Sequence, residues 1–373
     1  MYPTLQINRP PFRAALLPAL LALLLAAGCG RAGPDADASA DADAPADPDR
    51  LLICVTGTDA REVVRAVARD RAEIVAFVGD EQDPHVVEPT TGMIETLARA
   101  DLLVAIGLGM EDGWLPRLVE ASRNTDAAEG GSKRLELDRR LRTIAGPEGR
   151  GVPGSFHPED NPHFLADPVE AAKAAELVAE TLARIDPDHA DSYRANAASF
   201  VREIAELLVG PDLAAAIDSA ADLETLAIAV ERDEFDRYAA RNNLDAPLAG
   251  LLARAEPFRD TPVVGDHDMW PYFARRLGVR VADYLEPEPG VPPTTRHLQT
   301  VIDTMREQGI RVVLTVPYLD PSHARFVRDQ TGAEVLAMAH QPGGRPGTDS
   351  YLEFARFNIE TLLSALEDAG DDS

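Results

Sequence analysis

The chain has 373 residues, of which 45% are hydrophobic, so it is long enough and apolar enough to form two folded domains. Its 63 acidic residues outnumber 36 Lys and Arg residues and give a formal net charge of −27. A surface of this charge repels phosphate backbones, which excludes nucleic acid as an expected partner.

Residues 1–29 have the features of a bacterial lipoprotein signal peptide. Two arginines and no acidic residue precede AALLPALLALLLAAGC, an apolar stretch that is short for a membrane span. It ends in LAAGC, which resembles a lipobox and predicts lipid attachment at Cys29. An ordinary cleaved signal or a single-pass anchor is the alternative. The acidic, low-complexity residues 30–50 predict a disordered tether.

Beyond the tether, short apolar runs typical of strands alternate with amphipathic stretches typical of helices. This alternation occurs twice, around a long helical region broken at Asp186-Pro187, and it predicts an α/β fold of two lobes. Each lobe is expected to be a mostly parallel sheet flanked by helices, and a long rigid helix is expected to join them. The predicted divisions are an N-terminal lobe (51–186), a linking helix with an atypical helical insertion (187–260) and a C-terminal lobe (261–373).

Three histidines follow strands or precede helices in similar loops. His85 follows Asp-Pro, His163 follows Asn-Pro, and His267 lies in VVGDHDMW at the end of a predicted strand. Proline fixes φ and restricts the residue before it, so a Pro-His pair holds the imidazole in a defined loop geometry. The three are too far apart in the chain for a local zinc-finger site, so any shared metal site must be assembled by the fold.

Several long motifs resemble the zinc- and manganese-binding solute-binding proteins of bacterial ABC importers. They are DPHVVEPTTGMIETLARADLLVAIGLGMEDGWL, NPHFLADPVEAAKAAELVAETLARIDP, HDMWPYFARRLGV, EPGVPPTTRHLQTVIDTMREQGIRVVL and TDSYLEFARFNIETL. The resemblance implies a two-lobed fold with one divalent metal held between the lobes. It places the ligands at His85, His163, His267 and Asp349, the last being the acidic residue before the final helix.

The expected function is capture of a divalent transition metal outside the cytoplasmic membrane and its delivery to an ABC permease, by a monomer tethered through its lipid. An imidazole-rich site favours Zn²⁺, with Mn²⁺ as the alternative. A surface adhesin or metal chaperone with the same fold stays open. A zinc hydrolase is the rival class, but the chain has no HExxH motif or nucleophile elbow, and Asp349 would fill the coordination position that catalysis needs open.

Overall fold

The computed structural model of the protein describes residues 50–142, 144, 161–287 and 291–371. The predicted signal peptide, the lipid site at Cys29 and the tether up to residue 49 lie outside these residues. His157 lies outside them as well.

The N-terminal lobe is built on a four-stranded parallel sheet with strand order β2-β1-β3-β4. The central strands are short apolar runs covered by helices on both faces of the sheet, so that all of β3 and the last three residues of β1 are buried. In chain order its elements are β1 (Leu51–Val55), α1 (Thr58–Ala68), β2 (Ala72–Ala76), α2 (Thr91–Arg99), β3 (Leu102–Ala105), α3 (Leu115–Ser122) and β4 (Arg134–Glu136).

Between the two sheets, the described residues form six α-helices. Their bounds are α4 (Pro168–Ile185), α5 (Ala190–Val209), α6 (Pro211–Ala214), α7 (Ala220–Glu231), α8 (Phe235–Asn242) and α9 (Gly250–Ala255). The long helical region is interrupted at Asp186, as predicted, and α4 and α5 pack against each other. Both also pack on α1 of the N-terminal lobe.

The C-terminal lobe repeats the architecture with a parallel sheet of order β6-β5-β7-β8. Its elements are β5 (Pro262–Gly265), α10 (Pro271–Leu277), β6 (Arg280–Tyr284), α11 (Thr295–Gln308), β7 (Val312–Thr315), α12 (Pro321–Thr331), β8 (Glu334–Ala337) and α13 (Tyr351–Asp371). The prediction of two parallel sheets flanked by helices is confirmed. The domain boundaries stay a prediction.

One apolar core runs through both lobes. It includes Ile53 of β1, Val178 of α4, Leu208 of α5, Val263 of β5 and Leu362 of α13, all fully buried. Because α4 and α5 contribute to the core of both sheets, the two lobes share buried surface rather than a flexible connection.

Helix α7 ties the helical region to the start of the C-terminal lobe. Glu224 of α7 pairs with Lys173 of α4 at 2.8 Å. At the other end of α7, Arg259 donates to the Glu231 carbonyl at 2.9 Å, just before β5 begins. The helix therefore connects α4, through polar contacts, to the segment that leads into β5.

None of the helices in the described part of the chain combines the length and the apolar composition that crossing a membrane requires.

Candidate metal centre

The fold brings His85, His163 and His267 together. One ring nitrogen from each histidine lies within 4.8 Å of the other two. Among the described residues, these three side chains form a group that could hold a metal ion. His85 Nε2 is 3.3 Å from His163 Nε2. The His267 ring centroid lies 5.7 Å from that of His85 and 5.5 Å from that of His163. Three imidazoles at this separation can share one divalent ion.

The backbone at two of these histidines is fixed by the same type of hydrogen bond. The Asp83 carboxylate accepts a 2.9 Å hydrogen bond from the His85 N–H, and the Asn161 side-chain oxygen accepts one of 2.9 Å from the His163 N–H. Both are Asx turns across an intervening proline. The Trp114 indole N–H also donates to the carbonyl of Pro84 at 3.0 Å. The Asp-Pro-His and Asn-Pro-His motifs therefore set the loop geometry before any metal binds.

His267 is held from two directions at the carboxyl end of β5. Asp266 accepts a 2.8 Å hydrogen bond from the His267 N–H and a 2.6 Å bond from the Val316 N–H, so it ties the end of β5 to the end of β7. Glu286 lies 2.9 Å from His267 Nδ1. The other ring nitrogen, Nε2, is buried without a hydrogen-bond partner among the described residues.

An unpartnered buried nitrogen lone pair is costly, about 1–3 kcal/mol, unless something binds it. A cation bound by the three imidazoles satisfies it. The pKa of His267 reflects the same surroundings: burial lowers it, but the hydrogen bond and charge of Glu286, with Asp266 and Asp268, outweigh burial and raise it above 6.5.

A fourth histidine lies beside this cluster. The ring of His340 is buried, with its centroid 6.4 Å from that of His163 and 4.7 Å from that of Tyr318. Burial, helped by the charge of His267, lowers the pKa of His340 to about 3, so its imidazole is neutral and keeps a lone pair at physiological pH.

Asp349, the predicted fourth ligand, lies outside the cluster of donor atoms. It is exposed, immediately before the N-terminus of α13. There Ser350 and Glu353 form a capping box, in which the Glu353 carboxylate accepts from the Ser350 N–H at 2.9 Å and Ser350 Oγ accepts from the Glu353 N–H at 3.3 Å. An acidic residue at this position is accounted for by the positive end of the helix dipole.

Glu286 is the part of the site that the sequence interpretation missed. Glu286 follows β6, the neighbour of β5 in the sheet. The sequence could have indicated Glu286 as an acidic residue just after a strand, because the carboxyl ends of parallel strands meet at one edge of the sheet, where His267 also lies.

Contacts between the lobes surround the cluster. The Asn161 side-chain amide donates to the Asp268 carbonyl at 2.6 Å, which connects the loops of His163 and His267. The Gln341 side-chain oxygen accepts from the Thr58 N–H at 2.7 Å, which connects the C-terminal lobe to the start of α1. The donor atoms thus lie in a cleft whose two walls are hydrogen-bonded to each other.

The chain matches a protein-family model described as "ZnuA: Zinc-uptake complex component A periplasmic" over residues 53–209 and 232–365. The unmatched residues between the two segments, 210–231, form α6 and α7. They fall inside the region predicted to hold an atypical insertion.

Two curated relatives match along nearly their full lengths. The manganese-binding lipoprotein MntA of Halalkalibacterium halodurans is 21% identical over 92% of this chain and 95% of its own. The iron-binding protein YfeA of Yersinia pestis is 23% identical over 96% of this chain and 97% of its own. Among solved structures, a crystal structure of ZnuA superposes with a TM-score of 0.62 at 20% identity, covering 86% of this chain and 99% of the other, which shows a common fold.

Members of this family are substrate-binding components of ABC importers and not enzymes, which confirms the expected class and contradicts the hydrolase reading. Manganese and iron both appear in the names of relatives, so the family match leaves the cargo metal open. The chain belongs to the zinc-uptake complex component A family, and it is a metal-binding, extracytoplasmic solute-binding protein of an ABC importer.

Proposed function

We propose that the protein captures Zn²⁺ as its cargo and hands it to a partner permease. The observation that carries the proposal is the convergence of His85, His163 and His267 on one point between the lobes. Nitrogen donors suit zinc better than manganese, which prefers carboxylate, carbonyl and water oxygens. The Mn²⁺ alternative rests on the names of relatives rather than on the donor set of this chain.

The fourth ligand is proposed from burial and proximity. His340 is buried beside His163 and supplies a neutral imidazole, whereas Asp349 is exposed at a helix start. We therefore favour His340 over Asp349 as the fourth donor. A site with four nitrogens strengthens the preference for zinc over manganese.

Calorimetric titration of the chain from residue 50 with Zn²⁺ and with Mn²⁺ tests the cargo. We expect one zinc ion per chain and much weaker binding of manganese. Replacing any one of the three clustered histidines with Ala is expected to weaken zinc binding sharply, and unchanged affinity in all three variants would contradict the assignment.

The same titration tests the fourth donor. His340→Ala is expected to weaken zinc binding, whereas Asp349→Asn is expected to leave it unchanged.

Anchoring through a lipid on Cys29 and a monomeric state belong to the same proposal. The relative MntA is named as a lipoprotein, and the LAAGC sequence supplies the cysteine. Metabolic labelling of the full chain with a radioactive fatty acid is expected to mark the wild type and not Cys29→Ser. Light scattering of the chain from residue 50 is expected to give the mass of one chain.

A further inference from the structure

We propose that Glu286 is a positioning residue for metal capture: it fixes the orientation and the tautomer of the His267 ring so that Nε2 presents a lone pair to the ion. This inference rests on the proposed function, because it concerns the same three-histidine site. It assigns a role to a residue that follows β6 and that donates no atom to the cluster.

The contact between Glu286 and His267 is largely buried and specific. Its Oε2 lies 2.9 Å from His267 Nδ1, and the exposed fractions of the two side chains are only 13% and 4%. The backbone of Glu286 is itself anchored, since its N–H donates to the Asp266 carbonyl at 2.9 Å. Asp266 also holds the backbone N–H of His267. Asp266, which lies between β5 and His267, therefore forms hydrogen bonds with the backbone of both residues in this contact.

The chemistry of the pair decides which nitrogen carries the proton. An ionised carboxylate can only accept hydrogen bonds, so His267 Nδ1 must bear the hydrogen when it contacts Glu286. A neutral imidazole has one N–H, which leaves Nε2 with its lone pair. Nε2 is the nitrogen that is buried without a partner and that remains for the cluster. A metal ligand needs this tautomer, and a carboxylate behind the ring supplies it.

Removing Glu286 leaves the ring less constrained in two ways. The imidazole can rotate about its side-chain bonds, and its proton can move to Nε2, where it blocks the metal. Each metal-binding event must then restore the ring position and the tautomer. Loss of such a carboxylate partner typically lowers metal affinity about 10- to 100-fold.

The first experiment reads the tautomer directly in the metal-free protein. Long-range ¹⁵N–¹H NMR correlations, recorded at an alkaline pH where the His267 signals no longer change with pH, are expected to show His267 protonated on Nδ1 in the wild type. Glu286→Leu is expected to give a mixture of the two tautomers. Glu286→Gln removes the charge and keeps an oxygen that can accept, so it is expected to retain more of the Nδ1–H form than Glu286→Leu. A wild-type ring protonated on Nε2 would overturn the proposal, whether or not the Leu variant folds.

The second experiment measures zinc affinity by competition with a chromogenic chelator. Glu286→Leu is expected to bind about 10- to 100-fold more weakly than the wild type, with Glu286→Gln in between. Glu334→Gln, at an exposed site on β8, is the control for loss of one negative charge and is expected to bind like the wild type. A folded Glu286→Leu variant with wild-type affinity would overturn the inference. If the wild type itself binds neither zinc nor manganese, the proposed function fails, and the NMR result still decides the role of Glu286.

Discussion

Asp167 and Arg276 form a buried ion pair that joins the segment of His163 to the helix that follows His267. Arg276 Nε and Nη2 each donate to a separate carboxylate oxygen of Asp167 at 2.8 Å. Asp167 also caps α4 by accepting from the Val169 N–H. The pair therefore fixes the start of α4, five residues after His163, against α10 of the C-terminal lobe.

Arg276→Met is expected to lower the free energy of unfolding by about 3 kcal/mol, because it removes two 2.8 Å hydrogen bonds from the buried Asp167 carboxylate and leaves a 3.7 Å contact with Arg275 as its ion pair. Urea denaturation monitored by circular dichroism measures the change. Arg254→Met breaks an exposed pair with Glu367 and is the control. Equal stability losses in the two variants would show that the buried Asp167–Arg276 pair stabilises the protein no more than an exposed pair does.

Zinc affinity is expected to fall as the pH is lowered. Every bound imidazole must give up its proton, and the pKa of His267 is raised above 6.5, so protons compete with metal from near-neutral pH downward. Competition titrations between about pH 8 and pH 5 measure the dependence. Circular dichroism at each pH confirms that the protein is still folded, and a flat affinity over this range would argue against ligation by His267.

Glu111 is expected to make the protein less stable as the pH rises from about 4.5 to about 7. Burial raises its pKa to about 7, although hydrogen bonds from Thr56, Ile106 and Gly107 oppose the shift. Between the unfolded and folded pKa values the folded state holds a proton that the unfolded state has released, so raising the pH favours unfolding.

The contribution is of order 3 kcal/mol when Glu111 is fully ionised. Urea midpoints across this pH range are expected to fall less steeply in Glu111→Gln than in the wild type. Glu95→Gln, at an exposed position on α2, is expected to keep the wild-type slope. An unchanged slope in Glu111→Gln would mean that folding does not raise the pKa of this carboxyl.

Gly265 is required at the end of β5, where a side chain has no room. A Cβ there would lie 2.7 Å from Trp270 Cδ1 and 3.0 Å from Tyr284 Cδ1. Gly265→Ala is expected to lower stability by about 1–3 kcal/mol through overpacking and to weaken zinc binding, because the displaced strand end carries His267. Thermal unfolding and zinc titration measure both effects. Gly92→Ala on α2, where the nearest atom is 3.9 Å away, is the control, and an equal effect there would contradict the steric explanation.

The parallel sheets were predictable because each strand is a short apolar run between helical stretches. The strand-end positions of His85 and His267 followed from the same pattern, since loops at the carboxyl ends of parallel strands gather at one edge. The Pro-His motifs added a local signal for His163. These features depend on residues that are close in sequence, which is why the sequence alone could reveal them.

The partner of His267 and the proposed fourth donor, His340, could not be predicted in the same way. The motif before the last helix pointed to Asp349, but the capping box of Ser350 and Glu353 gives that acid a local explanation. The position of His340 beside His163, and of Glu286 behind His267, depends on how β8 and β6 lie in the folded sheet. Such contacts are set by tertiary packing and leave no spacing pattern in the chain.

Helix α7 also bears on how the cargo can leave. A wide swing of the C-terminal lobe about α4 would separate Glu224 from Lys173 or Arg259 from the end of α7, in addition to exposing shared core. The frame of helices therefore resists rotation of the whole lobe when the cargo enters or leaves.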